Sequence, residues 1–129
     1  MSDPLFLDFE VVAELHKDSL LKFGGTDGIR DRGLIESALA SAINTYVYAN
    51  GDLFDIAAAY GFHLAQAQAY LDGNKRTGVS AALAFLRTNG VAKLPPAEMI
   101  YDAMIAIAEK RLDKAGLAKL FRAAALSAS

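Results

Sequence analysis

Cysteine is absent from the 129 residues. There is thus no disulfide framework and no thiolate metal site, and a reducing cytoplasm is the simplest home for such a chain. Long apolar runs are missing as well: no stretch approaches the ~20 residues that a membrane span needs. The opening Met1-Ser2-Asp3-Pro4 lacks the basic region of a signal peptide. Positive charge is not in excess, since the formal net charge is -2. That argues against a general nucleic-acid binder and leaves room for a local basic pocket. Histidine, the commonest general base, is limited to His16 and His63.

What is present is apolar and helical. Apolar residues make up 53% of the chain and alanine is heavily used, which favours close-packed helices. The length suits one domain, 1–129, able to bury roughly two thirds of its unfolded surface. Phe9, Val12, Ala13, Leu15, His16, Leu20 and Phe23 recur at helical spacing, with Asp8 as N-cap and Gly24-Gly25 as the stop. After a loop, Asp31 caps a second helix carrying Leu34, Ile35, Ala38, Leu39, Ala42 and Ile43. A third runs from Leu53 to Gln68 with Ile56, Ala57, Tyr60, Leu64 and Ala67 on its apolar face. A fourth, Thr77 to Asn89, is apolar almost all round, as a buried central helix would be. Pro96 opens a fifth with Met99, Ile100, Ala103, Met104 and Ile107, and Asp113 caps a last one with Leu117, Leu120, Phe121 and Ala124. Ser127 to Ser129 are expected to fray. The fold class is therefore all-α, about six helices, with the third and fourth forming the middle of the bundle.

Between those two central helices, Gln68-Ala69-Tyr70-Leu71-Asp72-Gly73-Asn74-Lys75-Arg76-Thr77 crowds amide, carboxylate, glycine, cations and hydroxyl together. Asp72-Gly73-Asn74 reads as a turn, and Lys75-Arg76 stand at the mouth of the next helix. A helix N-terminus offers free N–H groups and a partial positive charge. Two cations there imply an anion between them, and phosphate is the usual guest. Asp72 is suited to a magnesium ion, which typically takes one or two carboxylates together with the phosphates. Gly73 lets the backbone turn close to a ligand. The plainer readings are a solvated Lys75-Arg76 pair, Asp72 as an N-cap, Tyr70 as a packing anchor beneath the turn, and Thr77 and Ser80 hydroxyls bonded only to backbone.

Asp72-Gly73-Asn74-Lys75-Arg76-Thr77, with Tyr70 two residues before the Asp, resembles the core motif of the Fic/Doc superfamily. Lys75 after the Asn makes it more similar to the death-on-curing (Doc) toxin branch than to Fic adenylyltransferases, which carry Gly there. Gly24-Gly25, Gly28-Ile29-Arg30-Asp31, Gly33 to Leu39 and Ala81 to Gly90 are similar to the segments flanking that motif. The resemblance runs from about Leu15 to Gly90.

The resemblance implies an all-α Fic/Doc-like fold and nucleotide-dependent transfer of a phosphate or AMP group, with ATP or another nucleotide and Mg²⁺, to a protein hydroxyl. It implies a Doc-like toxin of a toxin–antitoxin system, its protein substrate a translation elongation factor. Its antitoxin partner would have a tail that folds into a groove by the site, a helix-in-groove contact. Carried onto this chain, Asp72 is the metal ligand. Gly73, Asn74, Lys75, Arg76 and Thr77 surround the phosphates, and Lys75 and Arg76 take part in catalysis. The family's general-base His falls at Gln68. A carboxamide is not basic near neutral pH, and loss of a general base typically costs ~10²–10⁴ in rate. The resemblance thus also allows a catalytically inactive nucleotide- or protein-binding module on the same fold. Ser80 stands where Fic enzymes close the motif with a second Arg, which fits the Doc branch. Of the two histidines, His63 points roughly 140° away from Gln68 on their common helix, and the sequence does not place His16.

Overall fold

Four aspartates set the starts of four helices. In the computed structural model, which describes residues 3–127, Asp8, Asp31, Asp52 and Asp113 each adopt an extended backbone. Each turns a carboxylate oxygen onto a first-turn N–H, those of Val11, Leu34, Asp55 and Gly116. Such caps satisfy one of the four N–H groups that a helix leaves unpaired. They open α1 (Phe9–Phe23), α2 (Arg32–Val47), α3 (Leu53–Ala67) and α6 (Lys114–Leu126). At α3 the cap is reciprocal, since the Asp55 carboxylate also accepts from the Asp52 N–H. α4 (Asn74–Thr88) and α5 (Ala97–Ala108) begin without a side-chain cap, at Gly73 and Pro96. The fold is all-α: six helices and no strand among the described residues.

α3 and α4 pack most extensively and form the middle of the bundle. Ile56 to Gly61 of α3 is an unbroken buried run. Gly78 of α4 lies against it so closely that a Cβ there would stand 2.7 Å from the Gly61 carbonyl oxygen. The absent side chain brings the two helices together at the point just behind the Gln68–Gly73 loop. Around this pair one continuous core is built on Tyr60, Phe85, Ile35, Ile56, Met104 and Phe121, each at most 1% exposed. Burying side chains of this size contributes roughly 1.5–3 kcal/mol apiece. The N-terminal segment is tied down by polar bonds: the Tyr60 hydroxyl accepts from Leu7 N–H (2.9 Å), and the Asn89 amide brackets the Leu5 backbone at 2.8 and 3.0 Å.

Several sequence expectations shift. α4 starts at Asn74, three residues before Thr77, because Gly73 takes a left-handed conformation (φ 77°) and turns the chain directly into the helix. Lys75 and Arg76 are therefore inside the first turn. α3 ends at Ala67, and Gln68 itself is left-handed (φ 53°, ψ 38°). Phe23, Leu34, Ile43 and Met99 are exposed, because the buried face of each helix is narrower than its apolar stripe. Ser127 is the C-cap of α6, its hydroxyl donating to Ala124 O. Residues 128–129 of the expected frayed end lie outside the described residues.

Candidate active site

The loop between α3 and α4 is held from three sides. From the α1–α2 connection, Ile29 pairs with Tyr70 in an isolated antiparallel bridge. Arg30 N–H donates to Ala69 O at 2.7 Å and Leu71 N–H to Gly28 O at 3.0 Å. From within, the Asn74 amide spans the loop: its nitrogen donates to Tyr70 O and its oxygen accepts from Tyr70 N–H, at 3.0 and 3.1 Å. From α1, the His16 ring stacks on Tyr70 with centroids 3.7 Å apart, and His16 Nε2 lies 2.8 Å from Asp72 O. Tyr70 is the packing anchor expected beneath the turn; its ring is buried, and burial raises its phenol pKa.

Asp72 is not an N-cap, since Gly73 holds that place with no side-chain cap bond. One carboxylate oxygen accepts from its neighbour Gly73 N–H (2.9 Å), the other from Thr26 N–H (3.2 Å). A Cβ on Gly25 would sit 2.8 Å from that second oxygen and would displace it, and the φ of 125° there also favours glycine. Asp72 is exposed on its outer side, and each oxygen keeps a lone pair free. This suits Mg²⁺, which retains waters and takes few protein ligands. No group of three or more potential metal ligands exists among the described residues, so an all-protein cage is not available.

Arg76 is oriented by α1. Its Nε donates to Ser19 Oγ at 3.0 Å, one Nη to Gly24 O at 3.1 Å, and its guanidinium carbon lies 5.4 Å from the Phe23 ring centre. Lys75, half-buried, makes no hydrogen bond or ion pair among the described residues. The first α4 backbone donor with a partner is Thr77 N–H, to Gly73 O. The N–H groups of Asn74, Lys75 and Arg76 precede it in the first turn, where a helix supplies no acceptors.

These groups open on one cavity of about 180 Å³, lined by Gln68, Leu71, Asp72, Gly73, Asn74, Lys75, Arg76 and Tyr101. A larger, more apolar groove of about 580 Å³ adjoins it through Arg76 and Tyr101, with Phe23, Val79, Ser80 and Ala97 among its walls. Thr77 does not belong to the site. It is fully buried, its hydroxyl has no partner, and it lines neither cavity, so both the phosphate reading and the backbone-bonded reading of that hydroxyl fail. Asn74 offers its N–H but not its side chain, which is occupied within the loop. Gln68 lines the cavity with its amide nitrogen bonded to Ala65 O at 3.0 Å. His63 is elsewhere, 3.2 Å from Lys114 Nζ and beside Ser37 and Gln66. Burial first, and the Lys114 charge second, lower its pKa.

Three participants escaped the sequence reading. His16 and Ser19 are buried polar residues on α1, and a histidine on an apolar helical face was the available signal, because buried polar groups need partners. Tyr101 carried no such signal.

The central helix of this all-α bundle opens its positive end into a cavity, with a carboxylate and two cations at the rim, an arrangement suited to an anion. The chain belongs to the Fic/DOC family, whose profile matches residues 6–86. It is 35% identical over 83 residues to "Protein kinase doc" of Escherichia phage P1, covering 64% of this chain and 66% of that protein. It is 45% identical over 73 residues to "Toxin Doc" of Mycolicibacterium smegmatis, covering 55% of this chain and 56% of that protein. The chain thus spans somewhat under two thirds of these relatives' lengths. No helix among the described residues is long and apolar enough to cross a membrane.

Proposed function

We propose that the chain is a Doc-like toxin whose cavity binds the phosphates of ATP, or another nucleotide, and passes one to a protein hydroxyl. The observation that carries this is the α4 mouth. Asp72, Asn74, Lys75 and Arg76 line one cavity, and the N–H groups of the last three have no acceptor within the helix. Phosphoryl transfer depends chiefly on positioning and charge stabilisation, and this arrangement supplies both. The acceptor oxygen attacks the terminal phosphorus, the bond to the bridging oxygen breaks, and the nucleoside diphosphate leaves. Lys75 and Arg76 neutralise the charge spread over the phosphate oxygens. Asp72 would hold Mg²⁺, which supplies further charge neutralisation when bound. Gln68 accepts no proton, so the hydroxyl proton passes to solvent or to the phosphate. A slower reaction than with a histidine follows, by ~10²–10⁴.

The relatives' names support the toxin reading and, for the phage protein, the kinase reading. A cytoplasmic partner set follows from it: an elongation factor as acceptor, and an antitoxin whose helix enters the apolar groove beside Arg76. A second reading, a nucleotide- or protein-binding module without catalysis, is favoured by Gln68 alone.

The test is a paired labelling assay. The protein and its Gln68→His variant are incubated with Mg²⁺, cell extract, and ATP labelled at the alpha or the gamma phosphate. Gamma label on a protein, stronger with the variant, is expected. Alpha label would move the reaction to AMP transfer, and no label from either protein would favour the binding module.

A further inference from the structure

We infer that His16 is the positioning residue of the phosphate-binding turn: a donor and stacking plate on α1 that fixes Asp72-Gly73 where α4's N–H groups meet a nucleotide phosphate. The inference rests on the nucleotide reading above and adds a residue that lies outside the motif.

The geometry is two-sided. The Asp72 carbonyl oxygen can only accept, so the 2.8 Å contact places the hydrogen on His16 Nε2. The ring face lies nearly parallel to Tyr70, 13° apart with centroids at 3.7 Å. Tyr70 and Asp72 bracket Leu71, so one imidazole holds the loop at both ends of a three-residue span. His16 is 3% exposed, so packing on α1 fixes the donor, whereas Asp72 itself is exposed. A Cβ on Gly73 would touch the ring at 3.6 Å, so the imidazole also forms the floor under the left-handed turn. Ser19 and Phe23, three and seven residues further along the same helix, orient Arg76. One face of α1 therefore sets both the turn and the guanidinium. His16 does not line the cavity and meets its wall at Asp72 and Gly73, so it acts by position.

The ring's two functions separate by substitution. Phenylalanine keeps the stack and loses the donor. Glutamine places an amide N–H near the Nε2 position and loses the stack. Binding of Mg·ATP to the full chain is measured by calorimetry for the protein, His16→Phe and His16→Gln, with the unfolding midpoint of each. Amide exchange at Leu71, bonded to Gly28 O, and Arg30, bonded to Ala69 O, is followed in parallel. His16→Phe should weaken Mg·ATP binding about two- to tenfold, the worth of one part-buried hydrogen bond that holds the turn in its binding geometry, and speed exchange at Leu71. His16→Gln should recover most of the affinity. A merely structural histidine predicts lowered midpoints with unchanged affinity, and that result would overturn the inference while leaving the nucleotide reading intact. Failure of the unaltered protein to bind Mg·ATP would overturn both.

Discussion

Replacing Gly78 by alanine sets two effects of similar size against each other. Alanine in a helix interior is favoured over glycine by about 1 kcal/mol, so propensity alone predicts stabilisation. The structure predicts the opposite. The new Cβ would lie 2.7 Å from the Gly61 carbonyl oxygen and 3.4 Å from both the Ala65 nitrogen and Cβ. The obstructing oxygen is helix backbone and has no rotamer to change. Relieving it to the 3.4 Å already present at Ala65 means moving α4 off α3 by 3.4 - 2.7 = 0.7 Å. Overpacking of a well-filled interior typically costs ~1–3 kcal/mol, and separating these two helices loosens the centre of the core. The net expectation is a loss of up to about 2 kcal/mol and a fall in thermal midpoint of up to roughly 10 °C. Gly116 is the contrasting site, because all three atoms near its hypothetical Cβ are side-chain atoms, a Leu112 methyl at 2.5 Å and Leu112 Cγ and the Asp113 carboxylate at 3.2 Å, rather than helix backbone. Gly116→Ala should be neutral or stabilising. Thermal and urea unfolding of both variants check this. A Gly78→Ala midpoint at or above that of the unaltered protein would refute the close α3–α4 contact.

Lys75→Ala removes a cation that holds no partner among the described residues; calorimetry should show Mg·ATP binding weakened about tenfold or more, with an unfolding midpoint within about 1 °C. Tyr60→Phe strips the hydroxyl that accepts from Leu7 N–H in a fully buried setting, and urea unfolding should record a loss of about 1–3 kcal/mol. Burial and Lys114 hold the His63 pKa below its ordinary value. The unfolded chain then takes up the proton first as pH falls. This contribution to stability is complete above about 6.5 and is lost as pH drops toward the folded value. An NMR titration of His63 should show the low midpoint, and His63→Gln should flatten that part of the stability profile.

How much of this was legible depended on whether the deciding interaction was local. Asp8, Asp31 and Asp113 announced their helices because a cap acts within three residues. The Leu53 start, Gly24 stop and central pairing of the two helices around the motif followed from spacing and punctuation. The gathering of carboxylate, glycine and cations at the mouth of the fourth helix was readable because Asp72 to Arg76 are contiguous. What failed was non-local. Thr77 looks like a ligand in the string, yet α4 rotates it into the core, and one residue of helix phase decides that. Asn74 looks like a phosphate donor, yet its amide closes the loop on Tyr70. Arg76 looks free, yet Ser19 and Gly24, more than 50 residues earlier, orient it. His16 reaches the turn only because α1 folds across α4.

The central claim is that the first turn of α4 is a phosphate site. It is tested most directly by the amide resonances of the isotopically labelled protein during titration with Mg·ATP. The account predicts saturable shifts largest at the Asn74, Lys75 and Arg76 N–H groups, reproduced more weakly by inorganic phosphate and lost in Lys75→Ala. Shifts centred on another face of the bundle, or no saturable shift at these three groups, would contradict it.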